Sequence, residues 1–328
     1  MRPPPASRNA VCFCTDRRML IPALFVAKSI LSRRSPSSVP FDVIIFAAPS
    51  EVDDVQHRWM DEQGIKLCDD LDMTRLRGVA KIQDRLSEAT LVKLVIAEQL
   101  AGRYDKILYL DADLTIHGDI SLLFRLDTGE FPFAAVSSGR SWTYHRAVEW
   151  ERAVEHFRAL GLTPPYRFFN TGVLYIDVGK WNEADIAGRT LAFIRKNAEL
   201  CFLPDEHGLN GVIDGRHSAL SPIWNAGPRL PWRARVADVV KPVIIHHIGF
   251  NKPWRRFGYG KRLFPDLTAY RLYEVFLPKR PGPTGSPSSG TSVTSGSPAS
   301  GSTAGSPGSS AADRTSQRPR RALPTTRR

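Results

Sequence analysis

The sequence predicts an α/β fold built on a largely parallel central sheet. Short, continuous apolar runs of strand length alternate with stretches of helix length, the pattern of a sheet buried on both faces. Apolar residues make up 42% of the 328 positions, enough for a large core. No fixed-period repeat is present, which sets aside solenoids and propellers.

The elements follow in order. Ala10–Cys14 is an apolar strand. Met19–Ser32 reads as a helix and Phe41–Ala47 as a second strand. Val52–Gln63 is helical, with charges interleaved. Ser87–Leu100 carries apolar residues at 91, 92, 94, 95 and 100, close to helical spacing. Lys106–Leu110, Phe133–Ser137 and Gly172–Ile176 are further strands. Ala184–Asn197 reads as a helix and Val243–His247 as a late strand. The alternation places the body at residues 9–278.

Residues 279–328 are different in kind. Gly, Pro, Ser and Thr fill 33 of these 50 positions, with no aromatic residue. Such a segment cannot bury enough apolar surface to offset its ordering entropy, so it is expected to be disordered. It carries eight Lys/Arg against one Asp, and so +7 of the formal charge of +12. The basic balance is therefore mainly a property of the tail. It suits either a solubilising appendage or a weak contact with anionic phospholipid. It does not mark a nucleic-acid reader, because helix-turn-helix, RNA-recognition and zinc-finger patterns are all missing.

No apolar run approaches the ~20 residues that cross a bilayer. Met1–Arg8 is proline-rich without a long apolar stretch, so no secretory leader is expected. Four cysteines do not make a disulfide framework, and a reducing cytoplasm is the expected compartment.

The chemistry gathers at strand ends. Asp111 and Asp113 follow Lys106–Leu110 directly. Side chains at i and i+2 of an extended chain point the same way, so two carboxylates leave the carboxyl end of a buried strand together. Ligands of open α/β sheets bind at that edge. Two like charges so close call for a proton or a cation, and oxygen ligands favour Mg²⁺ or Mn²⁺, ions that bridge a diphosphate. The alternative is a pair of acidic turn residues. His246 and His247 end the late strand, and a histidine nitrogen suits Mn²⁺ better than Mg²⁺. Gly249 permits close backbone approach to a phosphate, and Lys252 supplies a point charge. Singly, each is equally a buried histidine, a turn glycine or a surface lysine.

Together these segments resemble family 8 of the retaining glycosyltransferases. The matching stretches are Cys14-Thr15-Asp16, Leu86–Leu94, Tyr104–Ile120 with its D-x-D, Phe168–Asp177, Asp205–Asn210, Ile223–Asn225 and His246–Trp254. The last fits H-x-x-G-x-x-K-P-W, and the match covers roughly residues 9–260 in order. The resemblance implies a GT-A fold: one Rossmann-like nucleotide-diphospho-sugar transferase domain with a mixed, mostly parallel sheet. It implies a UDP-linked galactose or glucose donor, and a glycan or lipid-linked acceptor. It implies Mn²⁺, with Mg²⁺ as the alternative, held by Asp111, Asp113 and His246. By the same likeness Asp16 accepts from the uracil ring, Gly249 and Lys252 meet the diphosphate, and Asn170 and Asp205 grip the donor sugar.

Three positions depart from the family pattern. Lys93 stands where arginine is common near the diphosphate and sugar. Glu206 replaces the amide of D-Q-D-x-L-N, which puts a carboxylate beside Asp205 where a nucleophile or a cation-stabilising group would act. Arg17-Arg18 follows Asp16. Front-face attack and double displacement through a carboxylate both give retention. Trp142, Tyr144, Trp150, Tyr166, Phe168 and Trp224 are candidate sugar-stacking surfaces or core, and Ser137–Pro165 is a candidate acceptor-site loop. A nucleotide-sugar or glycan-binding protein with weak catalysis is the other reading.

Overall fold

The computed structural model describes residues 8–79, 89–137, 147–162, 168–227, 241–248 and 252, with only the backbone at 147–150 and 152–153. The chain divides into two units, Met1–Arg280 and Pro281–Arg328, and every described residue belongs to the first. Gly249, Trp142, Tyr144, Tyr166, the start of the candidate loop and the tail lie outside the described residues, as does the Trp150 side chain.

The strands are β1 (Asn9–Cys14), β2 (Asp42–Phe46), β3 (Ile65–Cys68), β4 (Lys106–Leu110), β5 (Leu114–Ile116), β6 (Phe133–Ser137), β7 (Phe169–Asp177), β8 (Ser218–Ala219) and β9 (Ile244–His246). The helices are α1 (Leu20–Leu31), α2 (Asp54–Gln63), α3 (Ala89–Val92), α4 (Ile96–Gln99), α5 (Ala147–Ala159), α6 (Val178–Glu183), α7 (Ile186–Lys196) and α8 (Pro204–Ile213). A mixed seven-stranded sheet runs in the order β3-β2-β1-β4-β7-β6-β8, and β5 and β9 form a separate antiparallel pair. β3, β2, β1 and β4 are mutually parallel, while β7 is antiparallel to β4 and to β6.

Both faces of the sheet are covered. Cys12 of β1 and Tyr109 of β4 pack into one core cluster, while Val11, Phe13, Leu108 and Leu110 pack into the other. Alternate side chains therefore enter opposite layers, which is why these strands read as unbroken apolar runs. α2 shows how local chemistry sets a boundary. The Asp53 side chain accepts from the Gln56 amide and the Gln56 side chain returns the bond, a capping box, and Gly64 closes the helix at φ 67°.

The predicted Ser87–Leu100 helix is broken in the middle. Leu94 and Val95 donate to the carbonyls of Leu91 and Val92, three residues back, which tightens the chain into a turn between α3 and α4. The break turns Lys93 inward, 2% exposed. β3, β5 and α8 escaped the sequence pattern because each is short or carries polar residues at buried positions.

The topology builds one edge. The carboxyl ends of β1 to β4 emerge together. Because β7 runs the other way, its first residues lie beside the end of β4: Leu110 pairs with Val173, and the Asp111 amide donates to the Gly172 carbonyl (2.8 Å). Pairing of Leu114 with His246 brings β9 against the segment that follows Asp113.

Candidate active site

Asp111, Asp113 and His246 converge, one donor atom of each lying within 4.8 Å of the others. Each carboxylate divides its two oxygens. Asp111 Oδ1 accepts from the Tyr109 hydroxyl (2.6 Å) and the Lys93 ammonium (3.1 Å), while Oδ2 faces His246 Nε2 at 3.7 Å. Asp113 Oδ2 is taken by the Lys252 ammonium, and Oδ1 lies 3.1 Å from His246 Nε2. One oxygen per carboxylate thus stays turned toward the imidazole.

Gly172 makes the convergence possible. A Cβ there would stand 2.2 Å from His246 Cε1 and 2.8 Å from Asp111 Oδ2. Two hard oxygens and an imidazole nitrogen around a gap kept open by glycine fit a divalent ion of the Mn²⁺ type.

The charges around the cluster are strongly coupled. Burial works against the Asp113 charge, but His246 and Lys252 outweigh it and hold the carboxyl well below its usual range. Burial also opposes a charged His246, and Asp113 and Asp111 overcome it, so the imidazole holds its proton above its ordinary range. Lys93 is buried among anions: desolvation disfavours its charge, but Asp111 and Asp205 raise its value. Its ammonium lies 2.7 Å from Asp205 Oδ2 and 4.6 Å from the centre of the Tyr109 ring.

α8 supplies the acidic neighbours. Asp205 Oδ2 also accepts from Thr171 Oγ1 (2.8 Å), and Glu206 Oε2 accepts from Asn170 Nδ2 (2.8 Å). Burial, then the Asp205 charge, pushes the Glu206 carboxyl up to about 7 against the opposing pull of Lys93 and Asn170. The helix is pinned to β7 by Asn210, whose side chain accepts from the Phe169 amide and donates to its carbonyl, both at 2.9 Å.

A cavity of about 440 Å³ opens at the ends of β1, β2 and β3, with Asp16, Phe46, Glu51, Asp69, Met73 and Val92 among its walls. Asp16 also accepts from the amides of Arg18 and Met19 at 3.0 Å, which ties it to the start of α1.

Of the residues singled out by sequence, Lys93, Asp111, Asp113, Asp205, His246 and Lys252 form one connected group, which Asn225 joins to Asn170 and Glu206, and Asp16 lines the adjoining cavity. His247 faces Thr115 instead (3.3 Å). Phe168 is core: its ring packs 4.6 Å from that of Phe157 and it is 9% exposed. Sequence reasoning quoted the stretches that hold Tyr109, Thr171, Gly172 and Asn225 but gave these four residues no role. The first was legible in principle, since it precedes Asp111 by two on the same strand face.

The mixed sheet and the group of acidic residues and histidine at its edge are those of a glycosyltransferase type of fold. The chain belongs to glycosyl transferase family 8, whose family model matches residues 10–258. Among curated relatives, the lipopolysaccharide 1,2-glucosyltransferase of Escherichia coli is 25% identical over 196 residues, 57% of this chain and 54% of that protein. The lipopolysaccharide 1,3-galactosyltransferase of Salmonella typhimurium is 24% identical over 214 residues, 63% and 58%. General stress protein A of Bacillus subtilis is 26% identical over 162 residues, 45% and 52%. The matched regions span about half the length of these relatives. Among solved structures, the galactosyltransferase LgtC with donor and acceptor sugar analogues matches with a TM-score of 0.65 at 19% identity, over 81% of this chain and 95% of that one. That likeness establishes the GT-A fold.

Proposed function

We propose that the protein is a retaining hexosyltransferase that moves galactose or glucose from a UDP-sugar to a hydroxyl of a glycan or lipid-linked acceptor, with Mn²⁺ held by Asp111, Asp113 and His246. The observation that carries this reading is the convergence of those three donor groups beside Gly172. Membership of family 8 and the lipopolysaccharide-modifying relatives support it.

In this reading the acceptor oxygen bonds to the anomeric carbon as the bond to the β-phosphate oxygen breaks, and the hydroxyl proton leaves with UDP. A divalent ion, when bound, neutralises charge on the diphosphate. The Lys252 ammonium, already at the cluster, adds a second positive charge at the same place, and Gly249 gives the diphosphate close approach to backbone. The cavity at β1 to β3 takes the nucleoside, with Asp16 accepting from the uracil N–H. Asn170 and Asp205 grip the sugar. Lys93 holds Asp205 in place rather than reaching outward. Glu206, beside Asp205, is the group this reading assigns to positive charge at the anomeric carbon, in the ionised form that a value of about 7 leaves to part of the molecules at neutral pH. The catalytic domain is assigned to residues 9–278, and the basic tail to weak contact with anionic membrane.

Incubation with UDP-galactose or UDP-glucose, with and without Mn²⁺, tests the reading through UDP release and thermal stabilisation. Metal-dependent release with one sugar preferred is expected. Neither release nor stabilisation with any UDP-sugar would overturn it.

A further inference from the structure

A chain of side-chain hydrogen bonds runs from the metal cluster to Glu206. His246 Nδ1 lies 3.0 Å from Asn225 Oδ1, Asn225 Nδ2 lies 2.9 Å from Asn170 Oδ1, and Asn170 Nδ2 lies 2.8 Å from Glu206 Oε2. Such a chain runs in either direction if every amide flips. One bond removes the choice. Asn170 Oδ1 also faces the backbone amide of Gly172 at 3.0 Å, and a backbone N–H only donates.

The consequence passes along the chain. The Asn170 oxygen is fixed toward Gly172, so its NH₂ group points to Glu206, which accepts. Asn225 must then present its NH₂ group to that same oxygen. Its own oxygen is left facing His246 Nδ1, which must carry a hydrogen. Asn225, 2% exposed, and His246, 3% exposed, have little water with which to substitute these bonds.

We infer that Asn170 and Asn225 are a positioning pair that locks the His246 ring with hydrogen on Nδ1, so that Nε2, which faces Asp113 and Asp111, is the nitrogen left to meet a metal held by those two carboxylates. The inference rests on the metal-binding reading above. It gives Asn225 a role and adds one for Asn170 beyond the donor sugar. The backbone supports the arrangement: the His246 amide donates to the Ala226 carbonyl (2.8 Å) and the Ala226 amide to the Ile244 carbonyl (2.9 Å), so Asn225 is tethered beside the strand end that carries the imidazole. Partners of this kind fix tautomer and orientation in metal-ligating histidines, and their loss weakens metal binding by roughly 10- to 100-fold.

The test is the Mn²⁺ dissociation constant of the full chain, read by titration calorimetry or by the free-ion paramagnetic signal, without donor or acceptor present. Asn225→Ala removes the acceptor and is expected to weaken binding by about tenfold or more. Asn225→Asp keeps an oxygen on Nδ1–H and is expected to bind as tightly as wild type or more tightly. Asn225→Ser, too short to reach the ring, replaces the alanine variant if that one does not fold. Wild-type affinity in Asn225→Ala or Asn225→Ser would overturn the positioning role while leaving the metal reading intact. Failure of the wild-type protein itself to bind Mn²⁺ would overturn both.

Discussion

Lys93 shows how much a single buried charge organises. Its side chain is 3% exposed and is shared between Asp111 and Asp205, two carboxylates on different elements. Removing it leaves two anions with their main counter-charge gone. Lys93→Met is expected to lower stability by about 3–5 kcal/mol in urea denaturation, because an uncompensated buried charge is left behind. A loss within experimental error would mean that water reaches the pair. Glu206 makes a pH prediction. Its carboxyl moves from an ordinary 4.5 to about 7 in the fold. Between these values the unfolded chain has lost the proton while the folded protein keeps it, so stability falls as pH rises through the window. Glu206→Gln removes that slope, and its Tm should gain on wild type from pH 5 to pH 8. A constant gap across that range would show that Glu206 ionises freely. The same variant should lower kcat by about tenfold or more if the carboxylate stabilises positive charge at the anomeric carbon. Gly172→Ala is expected to abolish Mn²⁺ binding, since its Cβ would overlap the His246 ring; retained affinity in calorimetry would refute the need for that gap.

The contact between helices α7 and α8 decides where Asp205 and Glu206 stand. A Cβ at Gly208 would meet Ile194 Cγ1 at 2.6 Å and Thr190 Cγ2 at 2.9 Å, so α8 lies against α7 with almost no gap. Gly208→Ala forces the helices apart at a cost of about 1–3 kcal/mol. It should depress transfer more than nucleotide binding, because the shifted helix carries the two carboxylates and not the cavity. Adding Ile194→Ala makes room and should restore part of the rate; kinetics of the single and double variants check this. At this scale the sequence was informative where one physical signal dominated. β1, β2 and β4 read as apolar runs because both sheet faces are buried there, and α1 ran within a residue of its expected limits. The α3–α4 break was not visible. It depends on Lys93 turning inward to meet Asp205, 112 residues further on. α8 was read only as a motif, since Asp205, His207 and Asn210 are polar yet buried and spoil its apolar stripe.

Over the whole molecule, the proposed metal ligands were legible as two strand ends with the right donors, but their meeting was not. That required knowing that β9 pairs with β5, a long-range fact with no local signal. The hydrogen bonds of Asn225 were hidden for the same reason. Charge distribution is a second whole-chain property. Five arginines fall within residues 318–328. Near an anionic surface each contributes about 1 kcal/mol of attraction. Changing Arg318, Arg320, Arg321, Arg327 and Arg328 to Gln together should strip sedimentation with phosphatidylserine vesicles and leave transfer to a soluble acceptor intact. Unaltered sedimentation would return the tail to a solubilising role. Among the described residues, no helix is long and apolar enough to cross a membrane.

The β5–β9 pairing also bears on synthesis. Asp111 and Asp113 leave the ribosome well over a hundred residues before His246, and among the described residues β5 pairs only with β9. A nascent or prematurely ended polypeptide therefore carries both acidic groups but no imidazole to complete their set. On the proposed metal reading, the ion's third ligand thus arrives only when the last described strand has been made.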